Sequence, residues 1–489
     1  MIFSLNLINS NKDNLIDSLI ESLKTDNWRI IEQVSIALGK LHIRQTIPSL
    51  IAVLENSDWR IRRAITEALS EFDDSLATEA LIKSLLDPNR FVREQAALSL
   101  SAFGQKPALE PLINAIIQDK DNLVRTRAIY SLGKLGYKEA LEPLIDILSD
   151  NDWNIQQEAI DSLGRLGYED AVEPLLKILE EKQKIKQFGN EYKDQITLVE
   201  GFLQWNLSLH AASALYQLHH ESGLKYLIET LKNDDKNKIM FAALALGKLR
   251  EKKAVEPLLL VIKENENYPE VIYKAIEVLG QLGDSKAVEP LTQILKGKNW
   301  HYAPSAADAL GNLGDTKAVE ELINSLDDKR EEKKIAAAIA LGKIGDKRAV
   351  KPLIKKLRGK TNYVPVVVAD ALGRLGDKQA IEPLLQKLKD ASASTQQRLA
   401  ALTALGLLES LHLIDDSFNL STLYEDGDSE TIIKIIETME RLGTQEAESV
   451  LKELIQSYSR SENSLDSIMS DKIIKALFEA ELSILMKKR

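Results

Sequence analysis

Cysteine is absent from the 489-residue chain, which excludes disulfide frameworks, thiolate nucleophiles and zinc–thiolate centres. Aromatic residues make up only 5% of it, and there are six histidines. No apolar run approaches bilayer-spanning length, and the opening MIFSLNLINSNKDN lacks the basic flank of a signal peptide. A positive surplus is missing too: 63 basic against 74 acidic residues leave a net charge of −11, which argues against a general polyanion-binding surface. These absences lead us to expect a cytoplasmic, soluble protein with no membrane segment.

What the chain has in abundance is one pattern. Ala275–Leu295, AIEVLGQLGDSKAVEPLTQIL, reads as the end of one helix, a glycine turn, and a second helix with proline in its first turn. The position of that proline returns as Ser18, Pro48, Glu79, Pro111, Pro143, Pro174, Tyr226, Pro257, Pro290, Glu321, Pro352 and Pro383, at steps of 30 to 33 residues with a single step of 52. A period near 31 with two helical patterns per unit predicts a solenoid, because one helix pair cannot bury its own apolar face. The long step marks an insertion at about residues 182–204. We expect an array over 1–410 and, after a polar stretch at His412–Glu430, degenerate capping helices within 411–489.

Each unit carries its own punctuation. The first helix (A) admits proline because its leading N–H groups have no intrahelical acceptor. The second (B) ends in glycine at Gly136, Gly167, Gly283, Gly314, Gly345 and Gly376, where a left-handed residue is expected. An earlier glycine, such as Gly133, Gly280 or Gly342, falls inside helix B, at a cost of about 1 kcal/mol relative to alanine; close helix approach is expected to offset it. Asn27, Asp58, Asn89, Asp121, Asp152 and Asn299 precede helix B as expected N-caps.

Units such as DWRIRRAITEAL (Asp58–Leu69), ALGKLREKKAVEPLLLVI (Ala245–Ile262) and ALGNLGDTKAVEELINSL (Ala309–Leu326) resemble HEAT repeats, specifically the short glycine-containing kind called phycobilisome-lyase-like. The likeness covers roughly Asn14 to Leu408. It implies an all-α fold, a right-handed α-solenoid (superhelix) of about 12–14 helix pairs, with B helices lining a concave binding face. Such repeats occur in scaffolds, bilin lyases and metal-dependent hydroxylases alike, so the fold does not select among functions.

Five tryptophans, Trp28, Trp59, Trp153, Trp205 and Trp300, share one register near the start of helix B. They read either as packing between layers or as a row of anchors along a rim. Arg62, Arg93 and Arg125 recur in three successive units, as a ladder that either pairs with neighbouring acids or captures carboxylates and phosphates. Half the histidines lie beside the insertion, where His210, Tyr216, His219 and His220 follow Trp205. Deoxyhypusine hydroxylases, which are HEAT-like, hold di-iron with paired His-Glu motifs; here only His220-Glu221 matches, so no metal is expected. A local basic excess spans Lys329–Lys360 and reads most simply as a solvated face.

No catalytic triad, P-loop, dinucleotide fingerprint or paired-carboxylate signature is present, and catalytic residues remain unassigned. The sequence therefore reads as a non-enzymatic scaffold that holds proteins on its concave face and tryptophan-bearing rim, with no cofactor. The alternative that the resemblance implies is a phycobilin lyase or lyase-isomerase attaching a linear tetrapyrrole to phycobiliprotein cysteine, with bilin and phycobiliprotein as partners and Arg125 near a propionate.

Overall fold

The structure, a computed structural model, describes residues 12–25, 27–40, 42–188, 195–297, 299–359, 363–408, 410, 433, 435–437 and 439; side chains are omitted at 12–15, 18, 181–188 and 195–205. Apart from 433, 435–437 and 439, the stretch 411–489 expected to hold capping helices lies outside the described residues, as do residues 189–194 of the expected insertion. The chain divides into two compact units, an N-terminal one of Asn9–Thr230 and a C-terminal one containing Leu231–Arg489.

Helices α1–α13 build the N-terminal unit: Lys12–Ser22, Trp28–Lys40, Ile47–Val53, Trp59–Leu69, Ser75–Ser84, Arg90–Ser99, Leu109–Gln118, Asn122–Leu135, Leu141–Asp146, Trp153–Leu166, Val172–Phe188, Gln195–Gln217 and Glu221–Thr230. The C-terminal unit holds α14–α24: Lys236–Lys248, Val255–Glu264, Pro269–Leu282, Val288–Lys296, Ala303–Leu313, Val319–Ser325, Glu331–Ile344, Val350–Leu357, Val364–Leu375, Ile381–Lys389 and Thr395–Leu407. Odd-numbered helices are A helices and even-numbered ones are B helices. Among the described residues there is no β-strand, and no helix is long and apolar enough to cross a membrane.

Within each unit consecutive B helices pack on one another, and a B helix packs on the A helix that precedes it in the same unit, α8 for example on α6, α7 and α10. Leu109, Leu112 and Ile116 of α7 face Val124, Ala128, Ile129 and Leu132 of α8, all buried. Each such leucine or isoleucine contributes about 1.5–3 kcal/mol when taken out of water. The array is therefore an α-solenoid whose core is a seam between two helix layers, extended by each added pair.

The two glycine registers do different jobs. Gly136, Gly167, Gly283, Gly314, Gly345 and Gly376 all have φ between +66 and +78°, the conformation that lets a helix end without steric conflict. The same place is taken by His42, His219 and Arg250, also at positive φ. The inner glycine is a contact device. A β-carbon built on Gly342 of α20 would stand 2.9 Å from the Ala371 Cα of α22, and Gly280, Gly311 and Gly373 meet Ala309, Ala340 and Ala404 in the same way. In the N-terminal unit serine joins the set: buried Ser131 and Ser162 donate to the carbonyls of Ala97 and Ile129 one repeat back, at 2.7 and 3.0 Å.

Five of the six expected B-helix N-caps are present. Asn27, Asp58, Asn89, Asp121 and Asp152 each accept the N–H two residues on, at 2.9–3.1 Å. Asn299 makes no such bond, because Trp300–Tyr302 forms a 3-10 turn first and Pro304 lies in the first turn of α18. Asp284, Asp315, Asp346 and Asp377 were not anticipated as caps. Each follows a left-handed glycine and accepts the N–H two residues on, at 2.9 Å, opening the 3-10 turn that leads into helix A. The recurrent Gly-Asp pair was the signal.

Candidate partner-binding surface

The turns between A and B helices in the N-terminal unit form one edge, and its first layer is a ladder of ion pairs. Arg62, the fourth residue of α4, reaches Asp87 of the following repeat through two bonds of 2.7 and 2.8 Å. Arg93 does the same to Asp119 at 2.7 and 3.0 Å, and Arg125 reaches Asp150 at 2.5 Å. Each aspartate also accepts the N–H of the next N-cap residue, Asn89, Asp121 or Asp152, at 2.8–2.9 Å. The hydrogen bonds to Asp87 and Asp119 hold Arg62 and Arg93 above the ordinary guanidinium range. The cations are thus matched between repeats, each also bonded to backbone carbonyls such as Asn56 and Ile116.

Outside the ladder lies an aromatic and aliphatic row. Trp28, first residue of α2, carries the Arg60 guanidinium 4.9 Å above its ring, and Arg60 is pinned to Asp58 at 2.7 Å. Trp59 stacks on Phe91 of the next repeat, with centroids 5.0 Å apart and planes at 28°. Arg90 covers Phe91 at 4.7 Å and pairs with Asp121 at 3.1 Å. Beyond them the edge opens. Leu86 and Ile117, at the ends of α5 and α7, are 86% and 66% exposed; Leu123 and Trp153, at the starts of α8 and α10, are 51% and 37% exposed. Asn122, Arg125, Asp150 and Trp153 line a shallow open depression of about 580 Å³.

The remaining tryptophans lie apart. Trp300, in the C-terminal unit, is stacked on His301 with Arg330 5.0 Å from its ring. Trp205 is not at a helix start: the insertion runs α11 on to Phe188 and begins α12 at Gln195, so Trp205 sits mid-helix, with its side chain outside the description.

The residues grouped around the insertion do not converge. His210 of α12 turns to α10, its Nδ1 2.7 Å from an Asp161 carboxylate oxygen. Next to it Arg165 pairs with Glu158 and covers the Tyr130 ring at 4.7 Å. Burial raises Glu158 above its ordinary value despite the arginine. His219 is nine residues further on, about 13 Å along the helix axis, as the exposed left-handed residue past the helix end. His220 is half-buried, its Nδ1 enclosed and without a hydrogen-bond partner; Tyr216 is half-buried on the helix between. Among the described residues no three His, Asp or Glu side chains are placed to hold a metal.

Family comparison agrees with this architecture. The profile described as HEAT repeats matches residues 16–101, 109–186, 259–333, 289–364 and 319–406, well over half of the chain. The chain belongs to the HEAT-repeat family. One unit of this HEAT-repeat protein, residues 92–118, also matches the PBS lyase HEAT-like repeat. No curated protein matches it. Among solved structures it is similar to an importin beta (14% identity, TM-score 0.44, covering 95% of this chain and 72% of that one) and to yeast importin-beta (13%, 0.45, 99% and 66%). Human deoxyhypusine hydroxylase is similar at 18% identity and TM-score 0.24, over 68% of this chain and 96% of that one. These are likenesses of fold.

Proposed function

We propose that this HEAT-repeat chain is a non-enzymatic, cytoplasmic scaffold that binds proteins, and that the A–B edge of the N-terminal unit is its principal docking rim. The observation that carries this reading is the run of solvent-facing apolar side chains at one edge of consecutive repeats, Leu86, Ile117, Leu123 and Trp153. Apolar side chains repeated at an edge, rimmed by satisfied polar groups, are the composition of an interface. Trp59 and Phe91 extend the row as rigid anchors, and Trp28, Arg62, Arg93 and Arg125 frame it. The B-helix face around His210 and Tyr130 is a secondary contact of the N-terminal unit, on the side that the repeat class leads us to expect as concave, and Trp300 is a separate anchor in the C-terminal unit.

The test is quantitative affinity purification from native cells with Ile117→Ser, Leu123→Ser and Trp153→Ala combined. Loss of a specific partner by about tenfold or more is expected, since central aromatic anchors each contribute roughly 2 kcal/mol or more. An unchanged partner set would remove the rim from the reading.

The second reading is the bilin lyase, supported by the repeat-type match at residues 92–118 and by the His210–Asp161 pair on α12 and α10. Phycocyanobilin mixed with the protein would then shift its absorbance, and His210→Ala with Trp205→Ala would abolish the shift. No shift with the unaltered protein ends that reading.

A further inference from the structure

Seven A helices carry an acidic second residue in the first turn, Glu110, Glu142, Glu173, Glu256, Glu289, Glu320 and Glu382 on α7, α9, α11, α15, α17, α19 and α23, whereas α3 and α5 carry no acid in that turn. This is where a negative charge meets the positive end of the helix dipole. Helix α21 carries a base there instead. Lys351 stands in that place, its first turn holds no acid, and its last turn adds Lys355 and Lys356.

The excess is not absorbed internally. Within the basic stretch, Arg330 and Lys333 pair with Asp328, Lys343 with Asp308, Arg348 with Asp346, and Lys356 with Asp327. Lys347, Lys351, Lys355 and Arg358 have no ion pair among the described residues, and all four are exposed. Lys351, Lys355 and Arg358, four and three residues apart, share one face of α21 and its C-cap, while Val350, Leu353 and Leu357 bury the opposite face; Lys347 stands in the 3-10 turn that leads into the helix. Taking about 2.0 Å per residue through that turn and about 1.5 Å along the helix, the stripe is at most about 18 Å long.

We infer that α21 is a docking stripe for a short acidic peptide segment of a partner protein. An extended chain advances about 3.3 Å per residue, so some five residues bearing three or four carboxylates match the stripe. The flanks select against a longer polyanion. The flanking repeats present Glu320 from α19, Asp327 just past the end of α19 and Glu382 from α23, all exposed, and a nucleic-acid backbone crossing the repeats would run against them. Lysine heads also suit single carboxylates as point charges rather than as forks. The inference stands on a different unit from the apolar rim and does not depend on it.

The test is fluorescence anisotropy with a labelled hexapeptide of alternating Glu and Asp, using the full chain in low salt. Reversing Lys351→Glu, Lys355→Glu and Arg358→Glu together is expected to weaken binding about tenfold or more, as three exposed charge contacts of about two- to threefold each. A control with the same change in charge, Lys252→Glu, Lys253→Glu and Lys263→Glu, is expected to retain it within about twofold. Lys351→Glu alone, which gives α21 the second residue that seven other A helices carry, guards against unfolding of the triple variant and is expected to weaken binding by about threefold. Equal losses in the α21 and control variants overturn the inference. So does absence of binding, or tighter binding of a ten-residue oligothymidylate that the α21 reversal abolishes.

Discussion

Gly342→Ala separates two accounts of the inner glycine by the sign of a stability change. Counted as a helix residue alone, the substitution stabilises α20 by about 1 kcal/mol, because alanine loses less backbone freedom than glycine. Counted as a contact, it destabilises. The added carbon would lie 2.9 Å from the Ala371 Cα and 3.0 Å from its Cβ, well inside the roughly 3.5–4.0 Å optimum for carbon pairs. One partner is helix backbone and the other the methyl fixed to it, so neither can rotate away, and α20 and α22 must separate by several tenths of an ångström. Ala338, Leu341, Val368 and Leu372, all fully buried, would lose close packing along the seam. Overpacking of this kind costs about 1–3 kcal/mol, leaving a net loss of about 1 kcal/mol after the propensity gain. Urea unfolding followed by far-UV circular dichroism reads it as a lower midpoint at unchanged slope. A raised midpoint for Gly342→Ala would refute the contact argument. Gly345→Ala is the control for backbone strain: nothing lies within 4 Å of its added carbon, yet φ is +78°, so it loses about 1 kcal/mol for conformational reasons only.

Three further outcomes follow from the same geometry. Arg250→Gly removes a side chain from a left-handed position at φ +53° and is expected to raise the thermal midpoint, by a stability gain of about 0.5–1 kcal/mol. Arg93→Ala leaves the Asp119 carboxylate, 8% exposed, without its bidentate partner and is expected to cost about 2–3 kcal/mol; the double variant with Asp119→Ala recovers part of that in a double-mutant cycle. Asp58 and Asp346 are held below the usual carboxylate range, first by hydrogen bonds from Arg60 and Arg348 and then by backbone N–H groups. Their contribution is complete above the unfolded value near 3.9 and is lost as pH falls through the lowered folded values. Denaturation midpoints therefore fall in that acidic window, and Asp58→Asn with Asp346→Asn flattens the dependence while keeping both caps.

Much of the fold was legible because it is locally encoded. The left-handed glycines end their helices wherever they occur, and an aspartate or asparagine before a helix caps it almost regardless of context; Asn299 is the exception, where a following 3-10 turn took the cap's place. The candidate site was legible only in part. Position in the repeat put Trp28, Trp59 and Trp153 at the starts of B helices, but left open what each would touch. Trp28 meets a guanidinium and Trp59 meets a phenyl ring because Arg60 and Phe91 are the residues that the next repeat happens to present. The insertion was legible as a length anomaly, and its continuation of two helices was not.

The sequence by itself determined the helix pairs, their turns and the small-residue seam, since φ preference, capping and apolar spacing act within a few residues. Only the tertiary structure decided which charges are satisfied and which are offered to solvent. Arg62, Arg93 and Arg125 find aspartates about 25 residues ahead, while Lys351 and Lys355 form no ion pair among the described residues. The physical reason is that an ion pair needs two groups within about 4 Å, a distance set by how one repeat stacks on the next.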